Sequence, residues 1–138
     1  MGARKRIQAE QSKEANKTTS FAKLNNCPTS PRKMRLVADM VRGKDVETAL
    51  NILTYTPQAA ATPLKKLLLT AIASWEQKSK DTENTVSDLY IKNIMVDQSK
   101  TLKRIQPRAQ GRAFRVRKRA NHVSLYIDAK QTVEQKQI

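Results

Sequence analysis

The sequence contains little cysteine, histidine or aromatic side chain, and each shortage excludes a class of protein. A single cysteine, Cys27, excludes an intramolecular disulfide framework and a zinc site built from several cysteines, and it fits a reducing compartment. No stretch approaches the roughly 20 consecutive apolar residues that a membrane-spanning helix needs. The basic start at Met1–Arg6 is followed by polar residues, unlike a signal peptide. We therefore expect a cytoplasmic protein that does not engage a membrane.

Residues for enzymatic chemistry are equally scarce. His122 is the only histidine, and the chain has no HExxH or GxSxG motif and no glycine-rich phosphate loop. We interpret His122 as a surface or RNA-facing side chain, and Cys27 as a small core residue. The sequence therefore predicts no enzyme, no catalytic residue, no metal site, no cofactor and no small-molecule substrate.

What the chain has in excess is positive charge. Its 27 Lys and Arg residues against 12 Asp and Glu residues give a formal net charge of +15, which predicts a polyanionic partner. Nine of the basic residues lie in Lys100–Arg119, and no acidic residue occurs between Asp97 and Asp128. Like charges at this density repel one another unless counter-charge is supplied. We interpret this segment as a nucleic-acid-binding arm.

Apolar periodicity predicts three helices. Ser30-Pro31 is typical of a helix start, and Gly43 is expected to end that helix. Asp45 is expected to cap a second, short helix, and Thr56-Pro57 to open a third and central one, with Trp75 in the core. Residues 1–17 lack such periodicity and are rich in Lys, Glu and Gln, so we predict a flexible basic N-terminal tail, with regular structure beginning near Thr18.

Three further segments predict strands. Thr18–Asn26 is expected to form an edge strand, while Asp88–Asp97 and His122–Asp128 are expected to pair. About 24 residues separate the paired strands, too many for an ordinary turn, so we predict an extended β-hairpin over about 93–121 that turns at Arg108–Arg112. An isolated hairpin is marginal in water, so we expect this one to be ordered only when anions surround it. The prediction is one α+β domain over 18–128 and a C-terminal tail over 129–138.

The basic residues around the first helix predict phosphate contacts, helped by the free N–H groups at its N-terminus. An alternative is a DNA-binding protein of helix-turn-helix or nucleoid type, because two helices flank Gly43. The second helix argues against it, since this helix has no Lys or Arg and carries Asp45 and Glu47. Phe114 is the only aromatic residue within the basic segment Lys100–Arg119. Arginine contacts to a folded RNA backbone therefore fit better than base stacking as the main mode of RNA binding.

Four motifs carry a family resemblance. They are Ser30–Asp39 (SPRKMRLVAD), Val41–Lys44 (VRGK), Leu50–Thr56 (LNILTYT) and Lys103–Ala113 (KRIQPRAQGRA). In this order they closely resemble the family of bacterial large-subunit ribosomal protein twenty-two, over about 30–128. The segment Lys118–Val123 (KRANHV) departs from the family's usual Lys-Arg-Thr-Ser-His-Ile.

The resemblance implies three helices packed on a small three-stranded antiparallel sheet, with a long protruding β-hairpin. It further implies a structural constituent of the large ribosomal subunit that binds and bridges ribosomal RNA (rRNA), supports assembly and lines the peptide exit tunnel with its hairpin. The implied partners are several domains of large-subunit rRNA, neighbouring large-subunit ribosomal proteins and the nascent polypeptide. The candidate rRNA-binding residues are Lys33, Arg35, Arg42, Lys44, Lys103, Arg104, Arg108, Arg112, Arg115, Arg117, Lys118 and Arg119. The expected tip residues in the tunnel are Leu102, Lys103, Arg104, Pro107, Arg108, Gly111 and Arg112.

Overall fold

The computed structural model describes residues 3–18, 20–78 and 88–129. Strand β3 (Ala113–Ala129) lies between β1 (Ser20–Cys27) and β2 (Leu89–Pro107) and is antiparallel to both, which confirms the expected α+β fold with a three-stranded antiparallel sheet. The expected C-terminal tail lies outside the described residues except for Ala129, which ends β3. In chain order the elements are α1 (Ala3–Thr18), β1 (Ser20–Cys27), α2 (Pro31–Val41), α3 (Val46–Tyr55), α4 (Ala61–Lys78), β2 (Leu89–Pro107) and β3 (Ala113–Ala129).

The core lies between one face of the sheet and the three helices α2, α3 and α4. In β3 the predicted alternation is confirmed, since Val123, Leu125 and Ile127 are 0%, 1% and 2% exposed. Burying an aliphatic side chain of this size stabilises a fold by about 1.5–3 kcal/mol, so these strands are fixed by packing. The helices contribute Met34, Val37, Ala38, Val41, Val46, Ala49, Leu53, Leu64, Leu67, Leu68, Ala71 and Ile72.

The helix ends differ from the sequence predictions in two ways. Neither Ser30 nor Asp45 makes a side-chain capping hydrogen bond, although both stand at the expected N-cap positions. The third predicted helix begins at Ala61 and not at Pro57, because the chain first makes a turn in which the Ala61 N–H donates to the Gln58 carbonyl. Trp75 packs against the core, as expected.

The N-terminal segment forms helix α1, so the prediction that regular structure begins only near Thr18 is wrong. The described side chains of this helix, from Arg4 to Glu14, are all exposed, which is why no apolar stripe marks it in the sequence. Residues with high helix propensity and pairs four positions apart favour a helix without burial. One such pair joins Arg6 Nε to Glu10 Oε1 at 3.1 Å.

Candidate nucleic-acid interface

Strands β2 and β3 continue past the helices as a two-stranded hairpin. Their pairing runs from Thr101 opposite Arg119 to Pro107 opposite Ala113. The turn is closed by a hydrogen bond of 2.8 Å from the Arg108 N–H to the Arg112 carbonyl. Gly111 has a φ of 68°, a left-handed conformation that glycine adopts without steric cost. β2, β3 and this turn are compatible with the predicted long β-hairpin.

All eight candidate RNA-binding residues of the hairpin are exposed, and the pairing brings them together on one narrow ribbon. Lys103 stands directly opposite Arg117, and Ile105 opposite Arg115. Like charges directly across a ladder are destabilising, and the sequence supplies no carboxylate between Asp97 and Asp128 to offset them. This charge pattern favours a partner that supplies negative charge from outside the chain. Its candidate contacts are Lys103, Arg104, Arg108, Arg112, Arg115, Arg117, Lys118 and Arg119.

A buried asparagine joins the root of the hairpin to the body. Asn121 is 0% exposed, and its Nδ2 donates to the carbonyl oxygen of Thr29 at 2.7 Å and to Thr29 Oγ1 at 2.8 Å. Its Oδ1 is buried without a protein hydrogen bond. The β1–α2 turn is thereby tied to β3 where the hairpin leaves the helices. Sequence reasoning missed this role; the signal was a polar residue at an inward position of a strand, in the segment that departs from the family pattern.

A second set of bonds holds the exposed side of the same root. The Asn26 N–H donates to His122 Nδ1 at 3.2 Å, and Ser99 Oγ donates to Asn26 Oδ1 at 2.6 Å. Asn26 has a φ of 54°, and the pairing registers shift beside it in both β1 and β2. Nδ1 of His122 thus accepts a hydrogen bond that helps to hold β1 against β3. The neighbouring Cys27 is buried, as expected.

The basic residues of α2 and of the turn that follows it divide into two groups. Arg35 Nε and Nη2 both donate to the carbonyl oxygen of Val96, at 3.2 and 2.8 Å, and Arg42 Nη2 donates to that of Ile94 at 3.1 Å. Both carbonyls belong to β2, the outer strand of the sheet, whose free edge needs such cover. All four residues are exposed. Because the guanidinium groups of Arg35 and Arg42 are engaged with β2, Lys33 and Lys44 are the better placed of the four for an outside partner.

The described residues show no cluster of metal-binding side chains. They hold no group of three or more His, Cys, Asp or Glu side chains that could bind a metal ion. The pKa of Lys92, an exposed group away from the hairpin, is raised by its hydrogen bond to Asp128 and by the charge of that carboxylate. Within the described part of the chain, no helix is long and apolar enough to span a membrane.

Comparison with known proteins agrees with this geometry. The family described as Ribosomal protein L22p/L17e matches residues 22–128, a span that includes β2, the whole hairpin and β3 as far as Asp128. The chain belongs to the ribosomal protein L22p/L17e family. This confirms the resemblance found in the sequence, and it confirms that the chain is a structural ribosomal protein and not an enzyme. The helix-turn-helix alternative loses its support, since the L22p/L17e match accounts for both helices that flank Gly43.

Relatives in this family cover nearly the whole chain. The large ribosomal subunit protein uL22 of Christiangramia forsetii is 56% identical over 129 residues, 94% of this chain and 96% of that protein. The protein of the same name from Flavobacterium johnsoniae is 57% identical over 129 residues, 94% of each chain. That of Bacteroides fragilis is 54% identical over 134 residues, 97% of this chain and 98% of the relative. The L22p/L17e match itself begins only at residue 22, beyond helix α1.

Proposed function

We propose that this chain is a structural constituent of the large ribosomal subunit in the cytoplasm, where it binds and bridges segments of large-subunit rRNA and supports subunit assembly. The first part follows from membership of the L22p/L17e family, whose relatives carry the name large ribosomal subunit protein. The bridging role rests on the hairpin, with Lys33, Arg35, Arg42 and Lys44 as the contacts of the body. The partners are several rRNA domains and neighbouring large-subunit proteins.

One observation carries the bridging proposal: nine basic residues and no acidic one occupy a ribbon whose cations are exposed. The seven residues from Thr101 to Pro107 extend the ribbon by about 23 Å at about 3.3 Å per residue. Cations at this density on a slender support can neutralise phosphates on both sides at once. Two RNA segments that would repel each other can then approach the same hairpin.

We propose further that the tip of the hairpin lines the peptide exit tunnel and faces the nascent polypeptide. The tip combines a closed turn with exposed side chains of mixed chemistry, including Leu102 at 54% exposure. Such a surface can form part of a wall without binding any one peptide tightly. The tip residues are Leu102, Lys103, Arg104, Pro107, Arg108, Gly111 and Arg112.

The test is sedimentation of a cell lysate at moderately high salt, following the intact chain and a variant with a shortened hairpin. In the variant a two-residue Asn-Gly turn replaces Leu102–Lys118, so that the opposed Thr101 and Arg119 remain joined. We expect the intact chain to migrate with the large subunit, to resist DNase and to be released by RNase. The shortened chain is expected to shift largely to the free fraction.

A matched control neutralises basic residues outside the candidate interface. Lys65→Gln with Lys66→Gln removes two charges from α4, and this variant should migrate like the intact chain. Migration of the intact chain as free protein would overturn the proposal. Migration with material that DNase releases would overturn it in favour of a DNA-binding protein. Equal incorporation of the shortened chain would overturn the bridging role of the hairpin alone.

A further inference from the structure

The register of the hairpin divides its side chains between two faces of different chemistry. Directly opposed residues of antiparallel strands share a face, and successive residues along each strand alternate between faces. One face therefore carries the opposed pairs Thr101 and Arg119, Lys103 and Arg117, and Ile105 and Arg115. The other face carries the pairs Leu102 and Lys118, Arg104 and Val116, and Gln106 and Phe114.

The first face holds an unbroken line of cations, which we name the arginine track: Arg115, Arg117, Arg119 and Lys103. Its three arginines succeed one another along β3 at a spacing of about 6.6–6.8 Å, and Lys103 stands beside the middle one. No carboxylate interrupts this line in the sequence. Guanidinium groups at such regular spacing fit successive phosphates of one nucleic-acid strand.

The second face, which we name the mixed face, sets an apolar side chain beside each of its cations. Lys118 stands opposite Leu102, and Arg104 opposite Val116. The guanidinium carbon of Arg108 lies 5.8 Å from the centroid of the Phe114 ring, which is 61% exposed. An arginine over an exposed aromatic ring, with aliphatic neighbours, offers flat surfaces on which an unstacked RNA base can lie.

We infer that the two faces bind RNA in different ways: the arginine track binds the phosphate backbone of one rRNA segment, and the mixed face takes unstacked bases of another. This inference rests on the proposed function and refines it, because it assigns a different RNA chemistry to each face. Phosphate contacts release counterions, so their contribution to affinity falls with salt; stacking contacts depend little on salt. Salt dependence therefore separates the two faces.

The experiment compares two double variants that each remove two charges from the same hairpin. Arg117→Gln with Arg119→Gln changes the arginine track, and Arg104→Gln with Lys118→Gln changes the mixed face. Kd for large-subunit rRNA is measured for the full chain over a series of salt concentrations. The slope of log affinity against log salt is negative, and we expect the track variant to reduce its magnitude by about 1.4–1.8, at about 0.7–0.9 per lost phosphate contact. The mixed-face variant should reduce the magnitude of the salt slope by less than half of that amount.

A third variant tests the mixed face directly. Leu102→Ser with Phe114→Ser removes apolar surface without changing charge, and we expect about a tenfold loss of affinity with an unchanged salt slope. Circular dichroism and the unfolding midpoint of each variant verify that the body is folded, which it should be, since every changed side chain is exposed.

Each outcome decides one question. Equal slope changes in the two charge variants, or a larger change on the mixed face, would overturn the assignment of faces while leaving the proposed function intact. An unchanged affinity of Leu102→Ser with Phe114→Ser would overturn the stacking part. Failure of the unchanged chain to bind large-subunit rRNA would instead overturn the proposed function itself.

Discussion

The same two strands, β2 and β3, exist in two surroundings in this molecule. In the body they pack against helices, and Ile91, Ile94 and Leu125 are at most 1% exposed. In the hairpin most of their side chains are exposed, and Ile105 reaches 74%. The backbone pairing is continuous between the two regions apart from register shifts at Ile91/Asn93 and Gln98/Thr101.

The contrast indicates that different interactions stabilise the two ends of the β2–β3 pair. In the body, buried apolar area fixes the strands, and their sequence alternates accordingly. In the hairpin little apolar area is buried and like charges repel, so we expect pairing there to gain stability from a polyanion. We therefore expect the body to fold by itself and the order of the hairpin to depend on a polyanionic partner.

Truncating a side chain in the core should give the largest difference in the free energy of unfolding between the body and the hairpin. Leu125→Ala, at a position 1% exposed, is expected to lower the free energy of unfolding by about 2–5 kcal/mol because it leaves a cavity. Ile105→Ala in the exposed hairpin should stay within about 0.5 kcal/mol. Urea denaturation of the free chain measures both. A comparable loss in the two variants would mean that the hairpin contributes to the folded body.

A substitution at the junction between the body and the hairpin should lower the free energy of unfolding by an intermediate amount. Asn121→Ala removes both donors to Thr29 from a buried site, and we expect the free energy of unfolding to fall by about 1–3 kcal/mol. Ser99→Ala, at the exposed side of the same root, serves as the control and should change it by no more than about 0.5 kcal/mol. Thermal unfolding followed by circular dichroism compares them, and equal effects would refute the special role of Asn121.

The outer edge of β2 should give a smaller effect. Arg35→Ala leaves the Val96 carbonyl without its two guanidinium donors, and we expect a loss of about 1 kcal/mol in the free energy of unfolding. Lys33→Ala on the same helix should leave the free energy of unfolding almost unchanged. If both variants are equally stable and both lose rRNA affinity, the arginine acts on RNA and does not protect the strand.

The smallest effect is expected at the exposed pair of Lys92 and Asp128, 2.7 Å apart. The pKa of Lys92 is raised above its ordinary value of 10.5, first by the hydrogen bond to Asp128. A raised pKa favours the folded state below the unfolded pKa, and this support is lost only as pH rises through the folded pKa. Unfolding midpoints of the intact chain and of Lys92→Gln should therefore show the same pH dependence between pH 6 and 9. A divergence inside that window would contradict this.

Much of the fold was predictable because burial leaves a periodic signature. The stripe on α2 and the alternation of Val123, Leu125 and Ile127 follow directly from packing on one face. Apolar periodicity did not predict helix α1 because its described side chains are all exposed. Only the helix propensity of its residues indicates this helix. The start of α4 was misplaced because Pro57 fits a turn as well as a helix start.

The candidate site was predictable in its charge and less so in its geometry. The run of cations with Pro107 and Gly111 between them was enough to predict a basic hairpin. Which cations share a face depends on the pairing register, and the shift between Gln98 and Thr101 is not visible in the sequence. The engagement of Arg35 with Val96 depends on a contact between residues 61 positions apart, which no local pattern reveals.

Amide hydrogen exchange of the intact chain, with and without large-subunit rRNA, tests the central contrast most directly. Without RNA, we predict slow exchange at buried strand positions such as Ile94 and Leu125, and exchange close to the unprotected rate over 101–116. With rRNA, the hairpin amides should become protected at least a hundredfold, while those of the body change little. Strong protection of 101–116 in the free chain would contradict the claim that the hairpin gains its order from a polyanion.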